Sequence, residues 1–255
     1  MAHKTLIDGT AYEIKGGRDL IGGTGYAKKK GRVLVNGTGY DIPFSKGVPL
    51  NTITPGAILM LNESGSPVPF YIAKHDYESG LNGAGRTLLV RKDCYDTRQF
   101  NMSGNKYANS LLDSWLNNTW LKLLDSSILP VISKTSFYYT PGGDNESLST
   151  LQRAVFLMSI KELGGKIFNS NVEGIELPIS GALRIAYLHN NKVNQWTRTP
   201  LVYAGTPLSY FFCFNTEGTP ERKKSSEFNG SRPAFTLPGT LALAQNADGT
   251  YSIAT

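Results

Sequence analysis

One short grammar, written three times, constrains the start of this chain more tightly than any other feature. Thr5 to Arg18 reads TLIDGTAYEIKGGR, Asp19 to Arg32 reads DLIGGTGYAKKKGR and Val33 to Lys46 reads VLVNGTGYDIPFSK, a period of 14 residues. In each copy two apolar residues lead into a pair, Asp8-Gly9, Gly22-Gly23 or Asn36-Gly37, followed by Thr, a small residue and Tyr. Such pairs tolerate the positive φ angles of a two-residue type I′ turn, so each copy is expected to fold as a β-hairpin. Further turns are expected at Gly16-Gly17 and at Gly31, giving six short strands. Strands this short and rich in glycine bury little surface and leave open edges. Residues 1–47 are therefore read as an assembly or anchoring segment that borrows a partner's surface. Leu6, Leu20, Leu34, Tyr12, Tyr26 and Tyr40 are its contact residues. The alternative is a decorative meander packed on its own downstream domain.

Charge follows the same division. Residues 1–47 hold eight Lys and Arg against four Asp and Glu, so this segment carries +4 of the chain's net +6. A basic segment can neutralise phosphates, but these lysines fall in expected turns instead of along one face, and no nucleic-acid partner is expected. MAHKTLIDGT lacks the apolar core of a signal peptide, and no apolar run reaches the roughly 20 residues of a membrane-spanning helix. Two cysteines, Cys94 and Cys213, cannot build a disulfide framework or a four-cysteine zinc site; buried free thiols are the reading.

Pro43, Pro49 and Pro55, with Gly47 and Gly56 between them, mark residues 48–56 as a linker, and the main domain is placed at 57–255. Strands are expected at 57–61, 67–75, 86–95, 153–159, 184–188, 195–200, 209–215, 231–237 and 251–254, and 136–147 is expected as a strand followed by a loop. Leu111, Leu112, Trp115, Leu116, Trp120, Leu123 and Leu124 recur at helical spacing behind Ser110, whose pairing with Asp113 resembles a capping box. That stripe is read as core. Ser159-Ile160-Lys161-Glu162 is a full S-x-x-E box, stopped by Gly164-Gly165. Long polar connections are expected at 164–182 and 216–230. Few helices, many strands and long loops together predict an α+β domain.

Asn109-Ser110 with Trp115-Leu116-Asn117, then Val155-Phe156-Leu157-Met158-Ser159 with Glu162, then Trp196-Thr197-Arg198-Thr199-Pro200, then Ser231-Arg232-Pro233-Ala234 occur in this order. The series resembles an uncharacterised family of gut-bacterial and phage proteins with N-S-x4-WLN, VFLLS-x2-E, WWLRSP and VRPAL motifs, over about residues 57–240. Gln195 and Thr199 stand where that pattern has an aromatic residue and a serine. The resemblance implies a C-type-lectin-like main domain, distantly related to formylglycine-generating enzymes. The 14-residue repeat, in turn, resembles leaders on phage virion and tail-module proteins. Together they imply a virion component displaying a lectin-like domain for host attachment.

Enzyme signatures fail. Gly23-Thr24-Gly25-Tyr26-Ala27-Lys28 breaks the dinucleotide fingerprint at its last glycine, and there is neither a P-loop nor a G-x-S-x-G elbow. His3, His75 and His189 stand alone, so no metal or other cofactor is expected. His75 beside Asp76 is read as structural, not as a general base. A redox pair of Cys94 and Cys213, as in formylglycine-generating enzymes, is disfavoured because Cys213 lies within the apolar SYFFCFN. Calcium-dependent sugar motifs are missing as well. A shallow binding surface is placed instead on Tyr203, Tyr210, Asn215, Arg222, Lys223, Lys224, Phe228 and Asn229, with aromatic rings beside polar donors. Trp196, Arg198 and Arg232 are expected to support the fold, the arginines by anchoring loops. The expected protein is a homo-oligomer, with a trimer favoured. It is located in the virion, attached to other virion proteins and facing a host-surface glycan or protein. Rival readings are a purely architectural decoration and a formylglycine-generating-type enzyme.

Overall fold

The computed structural model describes residues 47–143, 147–166, 172–202 and 209–254 in full, and six strands between residues 4 and 43 as backbone. The chain divides into two compact units, Met1–Lys46 and Gly47–Thr255.

In the first unit, β1 (Lys4–Ile7) pairs with β2 (Thr10–Glu13), β3 (Asp19–Ile21) with β4 (Thr24–Tyr26), and β5 (Lys30–Val35) with β6 (Thr38–Pro43). The register repeats: Ile7 faces Thr10, Ile21 faces Thr24 and Val35 faces Thr38. Each ribbon is a separate two-stranded sheet. Leu6, Leu20 and Leu34 lie opposite Ala11, Gly25 and Gly39, and Tyr12, Tyr26 and Tyr40 lie opposite Thr5, Asp19 and Val33. Leucine and tyrosine therefore occupy neighbouring rungs of each ladder. The pairs at 8–9, 22–23, 36–37 and 16–17, and the side chains of this unit, lie outside the described residues. Gly31 is not a turn; it sits within β5 opposite Ile42.

The second unit is built on β-structure. A seven-stranded sheet runs in the order β20-β10-β9-β8-β22-β21-β7. Its strands are β7 (Val48–Pro49), β8 (Ile58–Glu63), β9 (Ser66–Lys74), β10 (Arg86–Arg91), β20 (Ala234–Pro238), β21 (Ala242–Gln245) and β22 (Tyr251–Ile253). The pairing of β22 with β8 is parallel; the others are antiparallel. A five-stranded sheet runs β11-β19-β16-β17-β18. It comprises β11 (Asp96–Gln99), β16 (Gln195–Pro200), β17 (Tyr210–Phe214), β18 (Pro220–Lys224) and β19 (Phe228–Ser231). Two ribbons complete the set, β12 (Thr135–Tyr139) with β13 (Ser149–Arg153), and β14 (Ala186–Leu188) with β15 (Asn191–Val193).

Helix is scarce. Among the described residues the α-helices are α1 (Ser79–Asn82), α2 (Leu111–Asn118) and α3 (Ser180–Leu183), of which only α2 exceeds four residues. The α+β expectation is therefore corrected to a mostly-β architecture. The stretch 216–230, expected as a loop because PERKK is so polar, supplies β18 and most of β19. The S-x-x-E box does form: Ser159 Oγ accepts from the Glu162 N–H at 3.0 Å and Glu162 Oε2 accepts from the Ser159 N–H at 2.8 Å. It closes a single turn only, because Gly164 at φ +72° ends it at once.

Helix α2 starts where the sequence says. Ser110 Oγ accepts from the Asp113 N–H at 3.1 Å, and Asp113 in turn accepts from the N–H of Asn109 at 2.8 Å. Leu112, Leu116 and Trp120 are buried as expected, whereas Leu111 is half exposed. One hydrophobic cluster joins the sheets. Phe70 meets Phe235 and Trp120, and Phe100 stacks on Phe211 at 3.5 Å with Trp196 edge-on.

Two further expectations change. Residues 48–56 are no linker: Leu50 and Ile53 are buried in the core, and β7 pairs with β21. That pairing brings the start of this unit against its last described residues, and a Cβ placed on Gly47 would lie 2.8 Å from the Ala254 Cβ. The run 153–159 is not a strand beyond Arg153, where β13 ends. Its buried backbone is satisfied piecemeal instead, by a bridge from Phe156 to Ala234, by the Tyr107 hydroxyl on Leu157 N and by Arg198 on Leu157 O. No helix among the described residues is long and apolar enough to cross a membrane.

Candidate functional site

The motif residues converge inside the second unit. Arg198, on β16, is fully buried and donates from Nη1 to Glu162 Oε2 at 2.7 Å and to the Leu157 carbonyl at 2.8 Å, and from Nε to the Tyr138 carbonyl at 3.0 Å. Tyr77 Oη donates to the other Glu162 oxygen at 2.6 Å. Glu173 lies 4.0 Å from Arg198 Nε and accepts from Thr199 Oγ1 and from Thr140 N, each at 2.7 Å. Burial alone would lower the Arg198 pKa, but the Glu162 carboxylate overrides it and the value is raised. Burial raises Glu173 despite Arg198, and raises Glu78, where the Glu162 charge adds to the effect. Tyr77 is also raised, by burial and then by Glu162. Through Nε and Nη1 the guanidinium pins β16 to the segments around Tyr138 and Leu157–Glu162, while its buried Nη2 has no hydrogen-bond partner among the described residues.

The remaining motif residues do the same kind of work. Arg232 donates to the carbonyls of Arg91, Leu183 and Lys92. Trp196 Nε1 donates to the Arg98 carbonyl at 2.7 Å. Asn117 clamps Val155 by accepting from its N–H at 3.1 Å and donating to its carbonyl at 2.9 Å. Asp113 receives Arg153 through both oxygens. Gln195 and Thr199, the departures from the motif pattern, are integrated too. Gln195 Nε2 donates to Leu183 O at 2.6 Å, and Thr199 Oγ1 accepts from Ile160 N at 3.0 Å. The anchoring expected of Arg198 and Arg232 takes this form, and the motifs describe a scaffold.

Chemistry at the thiols and histidines is limited in the same way. Cys94 and Cys213 are free and buried, and burial pushes each thiol up to about 12. Thiols held protonated away from solvent are poor nucleophiles. His75 engages Ile53 O at 2.7 Å and Thr87 Oγ1 at 3.0 Å, using both ring nitrogens. His3 lies outside the described residues. Among the described residues no three His, Cys, Asp or Glu side chains gather as a metal site requires.

The residues expected to form one binding surface are dispersed. Tyr203 lies outside the described residues. Arg222, Lys223 and Lys224 lie on the edge strand β18, with Tyr210 opposite Lys224. Lys223 pairs with Glu221 at 3.3 Å. Asn215 Oδ1 accepts from the N–H groups of Glu217 and Thr219, so it shapes the β17–β18 turn. Phe228 and Asn229 lie on β19, separated from β18 by β16 and β17. Asn229 is buried. The strand order, invisible in a loop reading of 216–230, is what separates them.

Phe228 reaches a concave surface. It is 67% exposed and borders a groove of about 270 Å³ between β11 and α2. Asp96, Thr97, Arg98 and Gln99 line one wall; Leu111, Leu112 and Trp115 line the other. Arg98 Nη2 holds Asp96 Oδ2 at 2.7 Å, and its guanidinium carbon lies 3.6 Å from the Trp115 ring centroid. Gln99 stands directly opposite Phe228 in the ladder. Sequence reasoning missed the β11 wall. Four polar residues carry no strand periodicity, so nothing in DTRQ itself signalled β11.

No curated protein and no solved structure matches this chain. The expected C-type-lectin likeness therefore has no structural relative behind it, and the mostly-β architecture replaces it. A family model does match, over residues 84–239, which include every motif residue of the scaffold described above. The chain belongs to the family of the domain of unknown function DUF6273.

Proposed function

We propose that this chain is a structural protein of a phage or prophage virion, fixed to tail, baseplate or capsid by its N-terminal repeat and presenting the second unit for attachment to a host surface. The observation that carries the reading is the repeated hairpin. Three ribbons share one register, and among the described residues none is paired with another into a wider sheet. An isolated two-stranded ribbon is marginal in water, so a partner surface is the natural source of its stability. Pairing between copies makes a closed homo-oligomer, with a trimer preferred, and the other partners are neighbouring virion proteins. Many copies on one particle convert weak host contacts into avidity. The chain acts without a cofactor and without catalysis in this reading; its buried thiols and scaffold arginines favour architecture over chemistry. Its phage or gut-bacterial setting rests on the motif series and on the repeat.

Native mass measurement of the full chain, beside a variant beginning at Gly47, tests the anchor. The cut must not fall nearer Leu50, because β7 belongs to the second unit. The full chain is expected to assemble and the shortened one to be monomeric; two monomers would overturn the reading. If assembly holds but labelled protein fails to bind any host cell, the purely architectural decoration is favoured instead.

A further inference from the structure

The groove between β11 and α2 is anchored to the scaffold from behind, through Trp196 on the Arg98 carbonyl and Ser231 on Asp96, and its exposed composition is specific. Among the described residues that line it, the charged ones are Asp96 and Arg98, and these neutralise each other at 2.7 Å. An anionic ligand such as a phosphate or an acidic peptide would find no surplus positive charge there. A membrane would find too small an apolar face. Carboxylate and guanidinium nevertheless stand side by side at the surface, partly exposed at 28% and 36% of their side chains. Asp96 Oδ1 already accepts from Ser231 Oγ at 2.6 Å, so the carboxylate is held from both sides; with its remaining lone pairs and the guanidinium beside it, the pair presents an acceptor and a donor to a hydroxyl-bearing ligand.

The apolar half of the site lies on Phe228, with half-exposed Leu111 across the groove. Trp115 is not free to stack, because Arg98 covers one face and Tyr95 packs at 5.4 Å. Phe228 is held in place by the backbone ladder to Gln99, while Gln99 Nε2 is anchored to the Ser226 carbonyl at 2.8 Å. A ring fixed at the rim beside such a paired donor and acceptor suits the C–H face of a pyranose.

We propose that this groove is a binding site for a neutral glycan, taking one hexose or N-acetylhexosamine residue with its apolar face on Phe228 and its hydroxyls on Asp96 and Arg98. The proposal deepens the attachment reading and rests on it for its biological setting. Each groove binds weakly, and assembly supplies the avidity.

The test is a microarray of neutral and acidic bacterial surface glycans probed with the full chain and with Phe228→Ala, both checked for unchanged thermal unfolding. The full chain is expected to retain neutral glycans, with retention falling about tenfold in F228A, as loss of one ring contact implies. Asp96→Asn is expected to weaken the same spots and leave the pattern otherwise unchanged. Retention of acidic glycans only, no retention at all, or retention indifferent to F228A would each overturn the site. Host-cell binding and native mass of the same samples separate the two ideas. Cells bound by an assembled F228A protein as well as by the wild type would remove the groove and leave attachment standing.

Discussion

The two units of this chain reach order by opposite routes. In Met1–Lys46 the pairing is local: each strand finds its partner two residues away, and the same rungs recur every 14 residues. In Gly47–Thr255 the decisive contacts span the sequence. Arg198 joins segments around Tyr138, Leu157 and Glu162, and Arg232 joins Arg91 to Leu183. Local ladders carry little loop-closure cost but bury little surface, whereas distant clasps close a core at the risk of buried charge. The proposed completion of the repeat by a neighbour rests on that difference.

The sharpest way to break that contrast is Arg198→Ala. It leaves Glu162 buried without its cation and should cost the second unit about 3–5 kcal/mol in denaturant unfolding. A loss below about 1 kcal/mol would mean the clasp is ornamental. Gly142→Ala comes next. Its φ is +81° and an added Cβ would sit 2.2 Å from the Asn105 carbonyl oxygen, so a loss of about 2 kcal/mol or more is expected from strain and overpacking. The gentlest test is pH. Folding raises Glu78 and Glu173 above the ordinary 4.5. Their contribution is therefore fully present below that value and fades as pH rises through their higher folded values. Unfolding midpoints should fall through this window, and Glu78→Gln should make the fall shallower. An unchanged slope would show that Glu78 titrates as it does in the unfolded chain.

What could be read beforehand follows the same division. Asp-Gly, Gly-Gly and Asn-Gly pairs announce hairpins because turn chemistry is local, and the Ser110 cap announces α2 for the same reason. The bounds of β16 also match the run QWTRTP. Val155 to Met158 misled because an unbroken apolar run reports burial and says nothing about its hydrogen-bond partners. Strand β18 and most of β19, within 216–230, were hidden because strand formation there depends on neighbours more than on composition. The groove was half visible: Phe228 stood out as an aromatic in a polar stretch. Asp96 and Arg98 gained meaning only when β19 paired with β11.

The meeting of Gly47 with Ala254 has a practical consequence. A body whose entrance and exit share one doorway can be carried on a stalk, or spliced into a loop of an unrelated host polypeptide, without prying its sheets apart. The closeness of its two described ends leaves the core of the unit indifferent to which polypeptide flanks it.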